Sequence, residues 1–161
     1  MTDAPASPAF VPASADDAEA LVALMRELCL HDGSPFHEAR HRAALAALLA
    51  DGSLGRVWIA RAGGEAVGYL VLTLGYSLEF AGRDAFVDEL YLREGFRGEG
   101  LGREAIDTAT AACRELGVRA LHLEVERTNV AAQGFYRRLG FGDHDRYLLT
   151  RWIGSDDGAS G

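Results

Sequence analysis

DELYLREGFRGEGLGREAI, residues 88–106, contains the change of period that decides the fold. Its first residues close a β-rich run, AFVDELYL at 85–92, and its last open a helical pattern carried by Leu101, Ala105, Ala109, Ala112 and Leu116. Between them stand Gly98, Gly100 and Gly102. Glycine at alternate positions is costly in a helix, so a chain that places it just ahead of one is bringing its backbone close to something. Unshielded N–H groups at a helix N-terminus, with the helix dipole behind them, favour an anion, and Arg97 and Arg103 add positive charge. The loop alone fits either a diphosphate cradle or a plain turn. It is not a P-loop, which needs Lys, nor a dinucleotide fingerprint, whose glycines are spaced G-x-G-x-x-G.

Outward from this stretch the chain reads as one domain over 9–153, with loose small and polar termini at 1–8 and 154–161. Phe10 and Val11 form a short extended piece. Ser14 and Asp17 resemble a capping box ahead of a helix through Leu21, Leu24, Met25 and Leu28. HDGSPF at 31–36 breaks that helix, and 37–52 forms a second, ended by Gly52. Strands follow at RVWIARA and EAVGYLVLTLGYSLEF, joined by a Gly-Gly turn, then AGRD at 81–84 as a turn into 85–92. Beyond the glycine loop come a helix closed by Gly117, a strand at 118–126, a short helix from Asn129 to Gly140, and a last strand or strand pair in FGDHDRYLLTRWI. This order predicts an α+β fold with a mostly antiparallel sheet.

Composition removes several functions. The formal net charge is −8, which disfavours a nucleic-acid partner. All sixteen basic residues are Arg, so Schiff-base chemistry on lysine is excluded. Cys29 and Cys113 lie in apolar helical patterns and read as buried thiols of a reduced, cytoplasmic protein. The longest apolar run, 43–50, is too short to span a bilayer, and the N-terminal residues have no signal-peptide pattern. His37 and His41, four apart on one face, have a spacing that suits a metal. No third ligand converges in sequence, so with His31 they read as surface or lid residues and no metal is expected.

RGEGLG at 97–102, with Arg97, Gly100 and Gly102, and NVAAQGFYRRLGF from Asn129, with its Phe135-Tyr136 pair, together resemble the GNAT superfamily of acyl-CoA-dependent N-acetyltransferases, over about 9–153. The resemblance implies a mixed, mostly antiparallel sheet splayed between its fourth and fifth strands and flanked by about four helices. It implies acetyl-CoA as co-substrate, its diphosphate on Arg97, Gly98, Glu99, Gly100, Leu101, Gly102 and Arg103. Its pantetheine arm would lie along Leu90, Tyr91 and Leu92, with contributions from Asn129 and Phe135. Asn129 is in any case a strong helix N-cap.

Acyl transfer to an amine needs a group that takes a proton from the ammonium and one that protects the departing thiolate. Asp88 and Glu89 are the candidates for the base. Alternation places Asp88 with Leu90 and Leu92, and Glu89 with Val87 and Tyr91; by resemblance to polyamine-acetylating members the first of the pair, Asp88, is favoured. Tyr136 matches the family's general acid, and a backbone N–H near Leu92 is the expected oxyanion donor. Tyr76, Glu79, Glu124 and Trp152 are candidate acceptor contacts, since acidic and aromatic groups suit a small cationic amine. A lysine or N-terminal protein acceptor and a non-catalytic acyl-CoA sensor are the alternatives. The resemblance also implies a homodimer, paired through the C-terminal strand.

Overall fold

Ser14 and Asp17 form the reciprocal cap that their spacing predicts, with the Ser14 N–H donating to Asp17 Oδ2 at 2.8 Å. In this computed structural model, which describes residues 8–98 and 100–154, the cap opens a 3-10 turn, Ala15–Asp17, that runs into helix α1, Ala18–Asp32. The termini expected to be loose therefore lie, except for Pro8 and Gly154, outside the described residues, as does Glu99. α1 continues two residues into the expected breaker and stops at Gly33, whose φ of +69° is the left-handed conformation that glycine adopts without strain. Helix α2, Glu38–Ala50, ends two residues ahead of the expected Gly52. Asp51 turns extended there, and its carboxylate accepts from the Ser53 N–H at 2.9 Å, so an Asx-type turn replaces the glycine stop.

The strands are β1 Ala9–Pro12, β2 Gly55–Ala62, β3 Glu65–Ser77, β4 Gly82–Leu92 and β5 Ala120–His122, paired in that order. Neighbours are antiparallel up to β4, and β5 then pairs parallel to β4. Helix α3, Leu101–Glu115, supplies the crossover, and α4, Val130–Arg138, completes the helices among the described residues. This is the mixed sheet with about four helices that the sequence implies. The β2–β3 turn is the expected Gly63-Gly64 pair, both at positive φ. The next turn sits earlier than expected, since Gly82 already belongs to β4 and Ala81 carries the positive φ of +57°.

Register assigns the two faces. Val57, Ile59, Tyr69 and Val71 pack with Leu21, Leu24, Met25 and Leu45 of α1 and α2. Trp58, Leu70, Leu72 and Ala85, one step out of phase, are buried on the other face, where α3 lies against β1 and β4. Leu101, Ala105, Ile106 and Ala109 form the buried stripe of α3, as its period requires.

Two sequence expectations are corrected. The strand expected at 118–126 is paired only over Ala120–His122. No strand forms over 141–153. The chain divides into two compact units, Met1–Glu126 and Arg127–Gly161, and within the second no other described strand offers YLLTRWI a ladder. Its apolar residues also fail to alternate, so Leu148, Leu149, Trp152 and Ile153 are exposed.

Gly68 faces Leu92 across the β3–β4 ladder, and a Cβ there would lie 2.6 Å from both the Tyr91 carbonyl oxygen and Leu92 Cδ2. Gly68→Ala is expected to cost about 1–3 kcal/mol through overpacking. Thermal unfolding should register this as a loss of roughly 2–4 °C per kcal/mol.

Candidate active site

β4 and β5 share a ladder only from Asp84–Ala120 to Phe86–His122. β4 then runs on to Leu92 with its outer edge open, while β5 has ended. Which backbone groups face the gap follows from one bond: the Arg93 N–H donates to Val67 O of β3 at 2.9 Å. Successive residues of a strand point their polar groups to opposite sides, so the N–H and C=O of Leu92 point away from β3, into the gap. The Leu92 carbonyl is met there by Arg97 Nε at 2.7 Å.

The acidic pair does not alternate as a regular strand would. Val71 of β3 opposes Glu89, and the next residue, Leu72, opposes Val87, so Asp88 has no partner and forms a β-bulge. Glu89 consequently faces α1 and α2, and Val87 faces the opposite side with Leu72, which corrects the expected sharing of a face by Val87 and Glu89. Glu89 Oε2 accepts from the Tyr69 hydroxyl at 2.7 Å. Asp88, freed by the bulge, lines a cavity of about 110 Å³ with Phe86, Val87 and Glu124.

Burial raises both carboxyl pKa values above the ordinary range. For Asp88 it acts alone, although part of the side chain is open to water. For Glu89 burial is the largest cause, partly offset by the Tyr69 hydrogen bond and reinforced by the Asp88 charge. Tyr69 itself, fully enclosed, is pushed upward by burial and by Glu89, so it remains a donor.

The glycine loop leaves its backbone open. Gly98 and Gly100 have φ of +80° and +85°, and a Cβ on either would meet nothing within 4 Å, so conformation and not crowding requires glycine. Gly100 is the N-cap of α3 and, as glycine, offers no side chain of its own to cap that end. Leu101 is buried and anchors the helix, while Gly102 and Arg103 complete its first turn, Arg103 lying 3.9 Å from Asp107. Arg97 sits with its guanidinium 5.7 Å from the centre of the Tyr91 ring. Leu90 is half-buried, on the face opposite Tyr91.

Asn129, Phe135 and Tyr136 belong to the second unit and are described within it. Asn129 Oδ1 accepts from the Ala132 N–H at 3.1 Å, the N-cap expected of it. Phe135 and Phe141 pack edge-on against Tyr136, whose burial raises its phenol pKa. Trp152 is exposed in the same unit. Of the acceptor candidates in the first unit, Glu124 joins Asp88 at the cavity, whereas Tyr76 and Glu79 are exposed around the β3–β4 turn. His41 is engaged locally, its Nδ1 at 2.9 Å from the His37 carbonyl oxygen. Sequence reasoning missed Tyr69, Glu27 and Arg93; the first is coupled to Glu89 through a register that the bulge displaces.

A model of the acetyltransferase (GNAT) family matches residues 21–141, and the chain belongs to that family. Among curated relatives it is 35% identical to a Bacillus subtilis (strain 168) protein provisionally named a ribosomal protein bS18-alanine N-acetyltransferase, over 44% of this chain and 53% of that one. The chain spans about half the length, or less, of the curated relatives it matches. Among solved structures, an integron cassette protein from the mobile metagenome of Cole Harbour Salt Marsh superposes with a TM-score of 0.81 at 38% identity, covering 91% of each chain. An aminoglycoside N-acetyltransferase in complex with CoA superposes at 0.80 with 19% identity, covering 94% of this chain and 98% of that one, a likeness of fold.

The raised pKa of Asp88 has a consequence for stability. The folded state holds this proton more tightly than the unfolded chain, so between the ordinary value of 3.8 and the raised one, stability falls as pH rises. Asp88→Asn should therefore melt higher than the wild type at pH 7, and the two curves should converge near pH 4 in thermal scans across that range.

Proposed function

We propose that this chain transfers an acetyl group from acetyl-CoA to a primary amine, acting on a small cationic amine by direct transfer within a ternary complex. The carrying observation is the open edge of β4, which gives one gap an inward-pointing Leu92 N–H, a helix end begun by glycine and the Asp88 cavity. Acetyl-CoA fits these residues: Gly98, Gly100 and Gly102 with Arg97 and Arg103 would hold its diphosphate, and the free edge of Leu90–Leu92 would pair with its amides. When bound it supplies an activated thioester carbonyl.

The chain's own groups supply the rest. An alkylammonium with a pKa near ~10 must lose a proton before it can attack. Asp88, solvent-linked at the bulge and raised in pKa, takes that proton directly or through one water. Glu89, tied to Tyr69, orients the strand and does not exchange protons with the acceptor. The Leu92 N–H donates to the negative charge that develops on the carbonyl oxygen, and the Tyr136 phenol, kept protonated by burial, donates to the departing sulfur. Glu124 beside Asp88 attracts the acceptor's positive charge. Asn129 holds α4 in place for Tyr136. The free, buried cysteines fit a cytoplasmic setting.

A protein α-amine is the second reading, supported by the relative named for a ribosomal protein alanine. Thiol release from acetyl-CoA, measured with polyamines, aminoglycosides, amino acids and an N-terminal alanine peptide, separates the two. Turnover with the peptide alone would replace the small-amine reading, and none with any acceptor would count against catalysis.

Asp88→Asn should lower kcat by roughly 10²–10⁴, and should remove the acidic limb of the pH–rate profile, where the wild-type base is lost as pH falls through its raised pKa. Glu89→Gln should keep that limb. Tyr136→Phe should lower kcat while leaving CoA affinity unchanged; full activity in this variant would remove the phenol from the mechanism.

A further inference from the structure

Where β4 gives way to the glycine loop, three elements are bound together by Arg93. Its Nε and one terminal nitrogen donate to the two oxygens of Glu27 on α1, at 3.0 and 2.8 Å, and the other terminal nitrogen donates to Glu65 at the start of β3, at 2.6 Å. Glu27 Oε2 also accepts from the Tyr91 hydroxyl at 3.2 Å. The Tyr91 ring in turn carries the Arg97 guanidinium at 5.7 Å, and Arg97 Nε is held by the Leu92 carbonyl at 2.7 Å. The chain Arg93–Glu27–Tyr91–Arg97 thus runs from α1 to the first residue of the cofactor loop.

The geometry points to Glu27 and Arg93 as positioning residues for cofactor binding, fixing Tyr91 so that Arg97 presents its terminal N–H groups to an anionic diphosphate. This rests on the reading that the loop holds the CoA diphosphate. An exposed ion pair contributes little, but this one is bidentate, about one-third exposed on either side, and shares its carboxylate with a phenol. Without it the Tyr91 ring loses its tether and Arg97 keeps one hydrogen bond to the backbone, too few contacts to hold so long a side chain in a single rotamer.

Electrostatics and positioning predict opposite signs for one substitution. Glu27→Gln removes a negative charge near an anion site, so a simple charge effect would tighten CoA binding. Positioning requires that it weaken. The probe is CoA, titrated calorimetrically into the full-length wild type, Glu27→Gln, Arg97→Ala and the double variant.

A loss of about tenfold in Glu27→Gln is expected, with the double variant no worse than Arg97→Ala, because coupled neighbours give interaction energies large enough to cancel one single-variant effect. With saturating acceptor, KM for acetyl-CoA should rise by the same factor and kcat should stay within about twofold, a split that general loosening of the fold would not produce. Should Glu27→Gln fold poorly, Tyr91→Phe, which removes one hydroxyl, should still weaken CoA binding about threefold.

Unchanged or tighter binding in Glu27→Gln beside a clear loss in Arg97→Ala would overturn the inference and leave the loop reading intact. Additive losses in the double variant would also overturn it. Wild-type CoA affinity in Arg97→Ala would withdraw Arg97 from the diphosphate site, and the inference with it.

Discussion

The site depends on the parting of β4 from β5. A parallel ladder that stops after three residues leaves strand N–H and C=O groups without partners, a costly arrangement unless something holds the strands apart and something else fills the gap. The holding is done at the vertex. His122, opposite Phe86 in the last rung, packs its ring against Phe80 and Phe86 at 4.7 and 4.9 Å and places Nε2 3.4 Å from Asp84 Oδ2. Below it, Arg119 donates its N–H to the Arg83 carbonyl and its Nε to the Phe80 carbonyl. These contacts brace the ladder up to His122, its last rung.

The bulge at Asp88 lies just beyond that vertex and works with it. A bulge bends its strand and increases local twist, which carries β4 away from the line β5 would follow. It also resolves an ambiguity that adjacent carboxylates present in any strand. In regular alternation one of the two would be buried against helices and the other against α3, and neither would meet the opened edge. With one extra residue in β4, Glu89 keeps its place over Tyr69, and Asp88 turns into the cavity beside Glu124. One irregularity in the backbone therefore separates a structural carboxylate from an accessible one.

These features were unequally legible in the sequence. The capping box at Ser14, the Gly63-Gly64 turn, the Asn129 cap and the buried stripe of α3 are local, decided by residues within a turn or two of each other, and all were readable. The bulge is not local: nothing in VDELYL marks Asp88 as the extra residue, because the register is set by how Tyr69 and Val71 pack against α1 and how Leu72 packs on the other face. The short β5 is similar, since ALHLEVE has the pattern of a longer strand and is cut short by the parting, not by its own residues. The absent strand at 141–153 failed for a different reason. Its residues are apolar enough for a strand, but consecutive Leu148 and Leu149 break the alternation a strand needs. Glu27 and Arg93 lie sixty-six residues apart in the chain, and no spacing rule connects them.

A chain with a net charge of −8 is a poor candidate for binding a polyanion if charge is averaged over the molecule. Averaging is the wrong operation, because at physiological ionic strength an exposed charge is felt over only about 8–10 Å. What matters is which arginines are neutralised nearby. Arg26, Arg42, Arg61, Arg93, Arg103 and Arg137 face carboxylates in ion pairs. The described contacts of Arg97 are with neutral groups, a carbonyl and a phenol ring, which fix its position without cancelling its charge. It stands next to backbone N–H groups at the start of α3 whose partial charges add to its own. The acidic surplus lies elsewhere, at the cavity of Asp88 and Glu124 among other places, so positive and negative groups are locally separated. Net charge carries no trace of that local separation.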